Sequence, residues 1–599
     1  MNNLWTNENE PVSLADSFSF VPGVGEISDI TFAGIPLLRG IQTVARDTDW
    51  GTYEWEQTPF QLSTAGPSLM GILPLTSIAE DHTLQGVMSV TAEQGVLNVT
   101  CAIAAETTFA TNRIGLIALH FPALAGVPLT VIHPDGSETA QVFPEDISPF
   151  QPAYNVAGYR WTHRNLECEL HFQGDVFEME DQRNWTDASF KTYSRPLDLP
   201  FPYEVAAHEQ ITHSATLRVN VVAPSNKADK SPHTPTVIVL TPGGPLPEFT
   251  LGASSAPDPQ PALPTSTQHN TQLVELDLSS TNWQAALERA CTSGAALDTR
   301  LIVSEIMTNL ATELHNAVDV LASAEETGTS IRRIGVFGAE SHLATPPLVE
   351  ALRAALHRRG KTWPVVGGTR AHFTELNRGR DDISPEADHY AFSSTPLFHQ
   401  RETRQLIESV AIQRLTALQS VEITRSRSRL DATVTVGPVT VRPRFINVAT
   451  TPSPAPTRTD LSEGYGAEFT GTSDPRQQSP ELGAWLVASA AAFAVPGVSS
   501  ISFFEQWGPR GIFSEQGEEF PVAAAFAVLS NLRGTLLWSQ SPDGLVWAIG
   551  AENDETCHCV IANLSPEERL VEVQYDPVAG STRVLVPAFS FTHLNLSQR

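Results

Sequence analysis

As far as about residue 225 the chain is a series of short runs alternating apolar and polar positions, broken by Gly, Pro and Asp. They include ISDITFAGIPLLRGI, GVMSVTAEQGVLNVTCAIA, IGLIALHFP, VPLTVIHPDG, LECELHF and ATLRVNVVA. Period-two alternation over such lengths predicts an antiparallel β-sandwich. The stretches SNKADKSPHTPT and ASSAPDPQPALPTSTQ then mark a boundary and at least one exposed loop. Beyond them strand-like apolar runs alternate with helical ones. The strand candidates begin at Phe249, Leu273, Arg300, Arg333, Pro364, His389, Ala432 and Ser500. Between them lie WQAALERAC, NLATELHNAVDVLASAE, PLVEALRAALHRR, ETRQLIESVAIQRLTALQ and AWLVASAAAFAV, each with helical spacing of its apolar residues. Eight strands with intervening helices predict a (β/α)8 TIM barrel, and the lack of a glycine-rich phosphate loop after the first strand disfavours dinucleotide binding. After the helical run FPVAAAFAVLSNLRG, strands return in TLLWSQS, LVWAIGA, CHCVIANLS, LVEVQYD and TRVLVPAF, as expected of a small C-terminal β-sandwich. The expected fold class is multidomain α/β plus all-β, with boundaries at 1–230, 231–534 and 535–599.

Composition narrows the partners. A chain of 599 residues is too long for one core, and 41% hydrophobic with 17% charged residues is ordinary for a globular protein. Its formal charge of -30, with no Lys/Arg cluster, argues against nucleic acid and against anionic membrane surfaces. MNNLWTNENEP has no basic region followed by an apolar core, and no apolar run reaches bilayer-spanning length, so a cytoplasmic location is expected. Five scattered cysteines with no CxxC pair are not a disulfide framework. Cys557-His558-Cys559 reads as a strand and not a metal site, since alternation sends the imidazole away from the two thiols. No HxH or HExxH pattern is present, and neither a metal nor a cofactor is expected.

Chemistry in such barrels sits just past the strand ends. Asp277, Glu305, Glu340 and Glu505 stand there, with Glu375 a few residues past the fifth strand. Two carboxylates facing across a cleft supply a base for water and an acid for a leaving oxygen. The segment GGTRAHFTELNR reads as one binding loop carrying Arg370, His372, Glu375 and Asn377, with glycines that admit a ligand to the backbone. The sixth strand adds His399 and Glu402, and the seventh adds Arg442 and Arg444. Polyols need directional hydrogen bonds and an oxyanion needs cations or N–H donors, and this set offers both. Outside the barrel, FEMEDQRNWTDASFKTY from Phe177 to Tyr193 concentrates acids, bases, an amide and aromatics with no periodicity to explain them.

Several of these segments together resemble the D-apionate lactonase family of bacterial apiose catabolism. They are AGIPLLRGIQTVARDTDWGT with Arg39, Arg46, Asp47 and Trp50, then FEMEDQRNWTDASFKTY, GGTRAHFTELNR, the TPLFH run ending at His399, VTVRPRF, DPRQ from Asp474 and FFEQWGPRG. The sixth-strand motif departs from the family's pattern, with Thr395-Pro396 before His399 where Asn-Pro is usual and Glu402 where an aspartate is usual. The resemblance implies a glycoside-hydrolase-like barrel and hydrolysis of a sugar-acid lactone, and it hands down no residue roles. The residues themselves lead us to expect Glu340 and Glu505 as the catalytic base and acid, in unresolved order. Arg370, His399 or Arg444 would meet the oxyanion, and Asn377 and Glu375 would bind substrate. A glycoside hydrolase on a small glycoside, or an inactive carbohydrate-binding protein, are the alternatives. The expected partner is a small sugar lactone, and a homo-oligomer is compatible with the chain. The Phe177–Tyr193 segment would either brace a domain interface or reach over the barrel mouth.

Overall fold

A computed structural model describes residues 4–5, 10–14, 17–65, 68–79, 82–222, 235–264, 270–305, 309–428, 431–449, 451, 455–466, 472–575 and 581–596. Most of the first Ser/Pro-rich stretch, 225–234, lies outside these residues, as do 265–268 at the end of the second. Two antiparallel sheets, of eight and nine strands, form the N-terminal sandwich. The strand Val96–Ala105 shows why: Leu97, Val99, Cys101, Ile103 and Ala105 point into the core, and the residues between them face outward. Each large apolar side chain buried in this way contributes roughly 1.5–3 kcal/mol.

The other face of the eight-stranded sheet is turned toward the barrel. Four of its strands matter below: Ile35–Arg46, Arg113–His120, Phe177–Asp181 and Phe190–Tyr193. Val44, Ile117, Leu119 and Tyr193 form a small apolar patch on that face.

The barrel strands are β1 (Glu248–Gly252), β2 (Thr271–Asp277), β3 (Ala296–Val303), β4 (Ile331–Gly338), β5 (Val365–His372), β6 (His389–Ser394), β7 (Thr433–Val439) and β8 (Val498–Trp507). All pair in parallel, and β1 pairs with β8 to close the ring. The helices after β2 to β8 are α1 (Trp283–Cys291), α2 (Leu310–Glu326), α3 (Pro346–Arg358), α4 (Phe373–Arg378), α5 (Thr403–Arg427), α6 (Leu482–Phe493) and α7 (Val522–Ser530). Every residue of β5 is buried, as expected where helices cover one face and the barrel interior the other. α6 is buried all round because it packs on α5 and α7 on one side and on the C-terminal sheet on the other, which accounts for its unbroken apolar sequence.

The C-terminal sheet has seven strands, and one of them comes from before the barrel. Thr236–Pro245 pairs in parallel with Arg569–Tyr575 and antiparallel with Thr535–Trp538. The span 231–534 expected for the barrel therefore opens with a strand of the C-terminal sheet. Its residues carry the physical reason: Ile238 and Leu240 enter that sheet's core while Val237 and Val239 are exposed, a one-sided alternation unsuited to a doubly covered barrel strand. Cys557-His558-Cys559 lies in the strand Cys557–Asn563, with Cys559 buried and the His558 ring beside that of His593.

Candidate active site

Two polar groupings occupy the C-terminal end of the barrel. In the first, Glu275 near the end of β2 lies between Arg370 of β5 and Arg444, just beyond β7. Arg444 Nη1 donates to Glu275 Oε2, and Arg370 Nε stands 3.4 Å from Glu275 Oε1. Burial pushes the Glu275 carboxyl up, but the two guanidiniums outweigh it and bring its pKa to about 2. Phe445 underlies both arginines, with guanidinium carbons 4.3 and 5.2 Å from its ring centre. Arg370 Nη1 also donates to His342 Nδ1 at 3.2 Å. That nitrogen is then an acceptor and the ring neutral, consistent with burial and Arg370 lowering its pKa to about 3.

The second grouping spans the two domains. His399, five residues past β6, places Nδ1 2.7 Å from Asp187 Oδ2 of the N-terminal sandwich, while Gln405 of α5 donates to the other Asp187 oxygen at 3.3 Å. A carboxylate accepts, so the proton sits on Nδ1 and leaves Nε2 with a lone pair. Burial, partly offset by Asp187, lowers the imidazole's pKa and keeps it neutral near pH 7. Trp185, from the same sandwich segment, stacks on Phe398 at 4.8 Å and meets His399 edge-on. His372, at the tip of β5, touches Trp185 and Phe398 and has, among the described residues, no hydrogen-bond partner on either ring nitrogen. Burial, then Arg444 and His399, lower its pKa to about 3, so it lies within the field of both groupings. A buried polar group left unpaired calls for an explanation, such as a catalytic role or a bound water.

Glu375 on α4 is half-buried and accepts from Asn447, but its other oxygen is unpaired. Burial raises its pKa to about 7, against the pull of Arg378 and Asn447. A carboxyl poised there can both give and take a proton at neutral pH.

Several expected residues have other tasks. Glu340 is exposed, in the turn after β4. Glu505 is clamped by Arg510 (2.8 Å) and accepts from the Ser255 hydroxyl (2.9 Å). Asn377 is buried in the domain interface, donating to Ile147 O and Asn184 Oδ1. Glu305 holds Ser341, Asp277 caps its own turn through Ser279, and Arg442 is paired with Asp474. GGTRAHFTELNR is not a loop: β5 runs to His372 and α4 begins at once. Its glycines serve the barrel, since a Cβ on Gly368, at φ +80°, would sit 2.5 Å from the Ala391 carbonyl oxygen of β6. Arg370, Glu375, His399 and Arg444 are all at or beside the mouth. Glu275, Asp187, His342 and Asn447 were not singled out from sequence, because each gains meaning only through a distant partner.

The Phe177–Tyr193 segment fills both roles considered for it. Asn184 with Asn377, Thr186 with Ser394 and Glu180 with Arg378 brace the interface, while Trp185 and Asp187 reach the mouth. Arg183 is internal to the sandwich, bonding Asp181 and the carbonyls of Pro144, Glu145 and Asp146. Among the described residues no three His, Cys, Asp or Glu side chains are grouped to hold a metal ion, and no helix is long and apolar enough to cross a membrane.

A closed parallel barrel with a carboxylate–imidazole pair and cations at its mouth, beneath a β-sandwich, has the layout of a barrel enzyme whose site lies at the C-terminal end of its strands. Residues 6–222 match the D-apionate lactonase N-terminal domain and residues 254–534 the D-apionate lactonase TIM barrel domain. The chain belongs to the D-apionate lactonase family, and so to the hydrolases of cyclic carboxylic esters. A D-apionate lactonase from Brucella anthropi is 26% identical over 560 residues, 87% of each chain. Among solved structures, a GH30 endoxylanase from Clostridium papyrosolvens C71 aligns with 60% of this chain and 99% of its own at 9% identity and TM-score 0.40. A monomeric beta-xylosidase from Caulobacter crescentus CB15 aligns with 57% and 83% at 12% identity and TM-score 0.35. Both likenesses are too loose to carry an argument.

Proposed function

We propose that this protein hydrolyses D-apionolactone to D-apionate, with His399 as the general base that activates water. The observation that carries this reading is the Asp187–His399 pair, in which Asp187 fixes the tautomer and leaves Nε2 free to accept a proton. Water loses that proton as its oxygen adds to the lactone carbonyl, giving a tetrahedral oxyanion. Arg370 and Arg444 supply the positive field for it, held in place by Glu275 and Phe445. Collapse breaks the bond to the ring oxygen, which leaves as a hydroxyl after taking a proton from the His399 imidazolium or from Glu375. Glu340, exposed, and Glu505, tied to Arg510, have no part in this scheme. Acid release from a panel of aldonolactones, with an aryl glycoside as control, tests it. Turnover of apionolactone above the other lactones is expected, and release of the aryl aglycone without lactone turnover would overturn the reading.

A further inference from the structure

The barrel-facing side of the eight-stranded sheet holds two guanidiniums without counter-ions. Arg46 and Arg113 are directly paired across neighbouring antiparallel strands, so their side chains leave the sheet together. Arg113 is 5% exposed, lies 3.6 Å over the Tyr193 ring and 5.2 Å from that of Trp50, and has no hydrogen-bond partner on Nε. Arg46 donates only to the Trp50 carbonyl (3.2 Å) and the Thr52 hydroxyl. Among the described residues neither arginine is in an ion pair.

The nearby acids are occupied. Glu180 holds Lys191 at 2.6 Å and Arg378 at 3.6 Å, Glu178 accepts from the Tyr193 hydroxyl and the Leu197 amide, Asp187 is bonded to His399, and Asp47 accepts from the Asp49 and Gly51 amides of its own turn. Burial, then the neighbouring Arg113, lower the Arg46 pKa to about 10, as expected of a cation lacking its anion. Two adjacent cations, Arg113 buried and Arg46 half-buried, are costly unless an anion completes them, and the guanidinium fork fits a carboxylate in bidentate fashion. The place is next to the chemistry: Lys191, on the strand beside that of Arg113, holds Glu180, which accepts from Trp185 Nε1 at 3.0 Å, and the Trp185 ring meets that of His399.

We infer that Arg46 and Arg113 form a carboxylate-binding subsite, roofing the barrel mouth, that holds the open polyhydroxy acid produced by lactone hydrolysis. This identification of the ligand rests on the lactonase reading, and the subsite itself does not. The neutral lactone has no charge to offer it, so the site distinguishes product from substrate.

Calorimetric titration of D-apionate, its fully reduced alcohol and inorganic phosphate into the wild-type protein, Arg113→Gln, Arg46→Gln and Arg113→Lys tests the inference without requiring turnover. Each Gln variant should bind the acid about 10-fold more weakly or worse, with alcohol binding changed less than about 2-fold, while Arg113→Lys recovers part of the loss. Product inhibition should weaken in parallel while KM for the lactone holds. Unchanged acid binding in both Gln variants, or equal loss of acid and alcohol, would overturn the subsite, and so would phosphate binding more tightly than the acid. Arginine-dependent acid binding in a protein that turns over no lactone would sink the lactonase reading alone.

Discussion

The barrel contains the same motif twice, once near each end. Toward the N-terminal end Asp298 of β3 is bound by Arg300 at 2.7 Å and by Arg333 of β4 at 2.6 Å, with Thr435 completing the bonds of Arg300. At the mouth Glu275 is bound by Arg370 and Arg444. The inner triad is sealed, each side chain no more than 4% exposed. The mouth triad retains 13% exposure at Arg444 and 15% at Glu275, rests on an aromatic ring and abuts a neutral histidine. On the proposed mechanism, the same kind of cluster would serve stability where it is sealed and the reaction where it meets the mouth.

The largest separation of the two comes from removing one charge from each triad. Asp298→Asn leaves two buried guanidiniums without their carboxylate and should cost about 3–5 kcal/mol of stability in chemical denaturation, with turnover per folded molecule unchanged. Arg444→Met should do the opposite, lowering kcat about 100-fold with a far smaller shift in the unfolding midpoint. If the two variants lose activity and stability in the same proportion, the division of labour fails.

Glu375 sharpens the comparison through pH. Its folded pKa of about 7 lies above the unfolded value, so the stability it contributes is complete below the ordinary carboxylate range and is lost as pH rises through about 7. Glu375→Gln should therefore unfold at a higher temperature than wild type at pH 8, and match it more closely at pH 5. Glu275 behaves with opposite sign: its contribution is present above the usual carboxylate range and is lost as pH falls toward about 2. The smallest effect belongs to Glu340→Gln, which should leave kcat and KM within about 2-fold, as befits an exposed side chain.

All eight barrel strands are legible in the sequence as short, mostly apolar or β-branched runs alternating with helical ones. The strand Thr236–Pro245 escapes the sequence reading, which sees only a boundary before the first barrel strand, and its alternation reports one buried face without saying which partner covers it. The site is readable only in part. Arg370, Glu375, His399 and Arg444 announce themselves by standing near the C-terminal ends of strand runs. The Asp187–His399 contact joins residues 212 positions apart and in different domains, and no local pattern records it. Asn377 misleads for the converse reason: an amide amid polar residues reads as a ligand for substrate, and the interface with Asn184 claims it. Glycines at 367 and 368 likewise stand for close strand approach and not for an approaching ligand.

The base assignment has one direct test. His399→Ala, compared with wild type by acid release from the lactone under saturating conditions, should lose about 100- to 10,000-fold in kcat while keeping its unfolding temperature. Asp187→Asn should follow it in the same direction, since the amide no longer fixes the tautomer. Near-normal turnover in a folded His399→Ala protein would contradict the account at its centre.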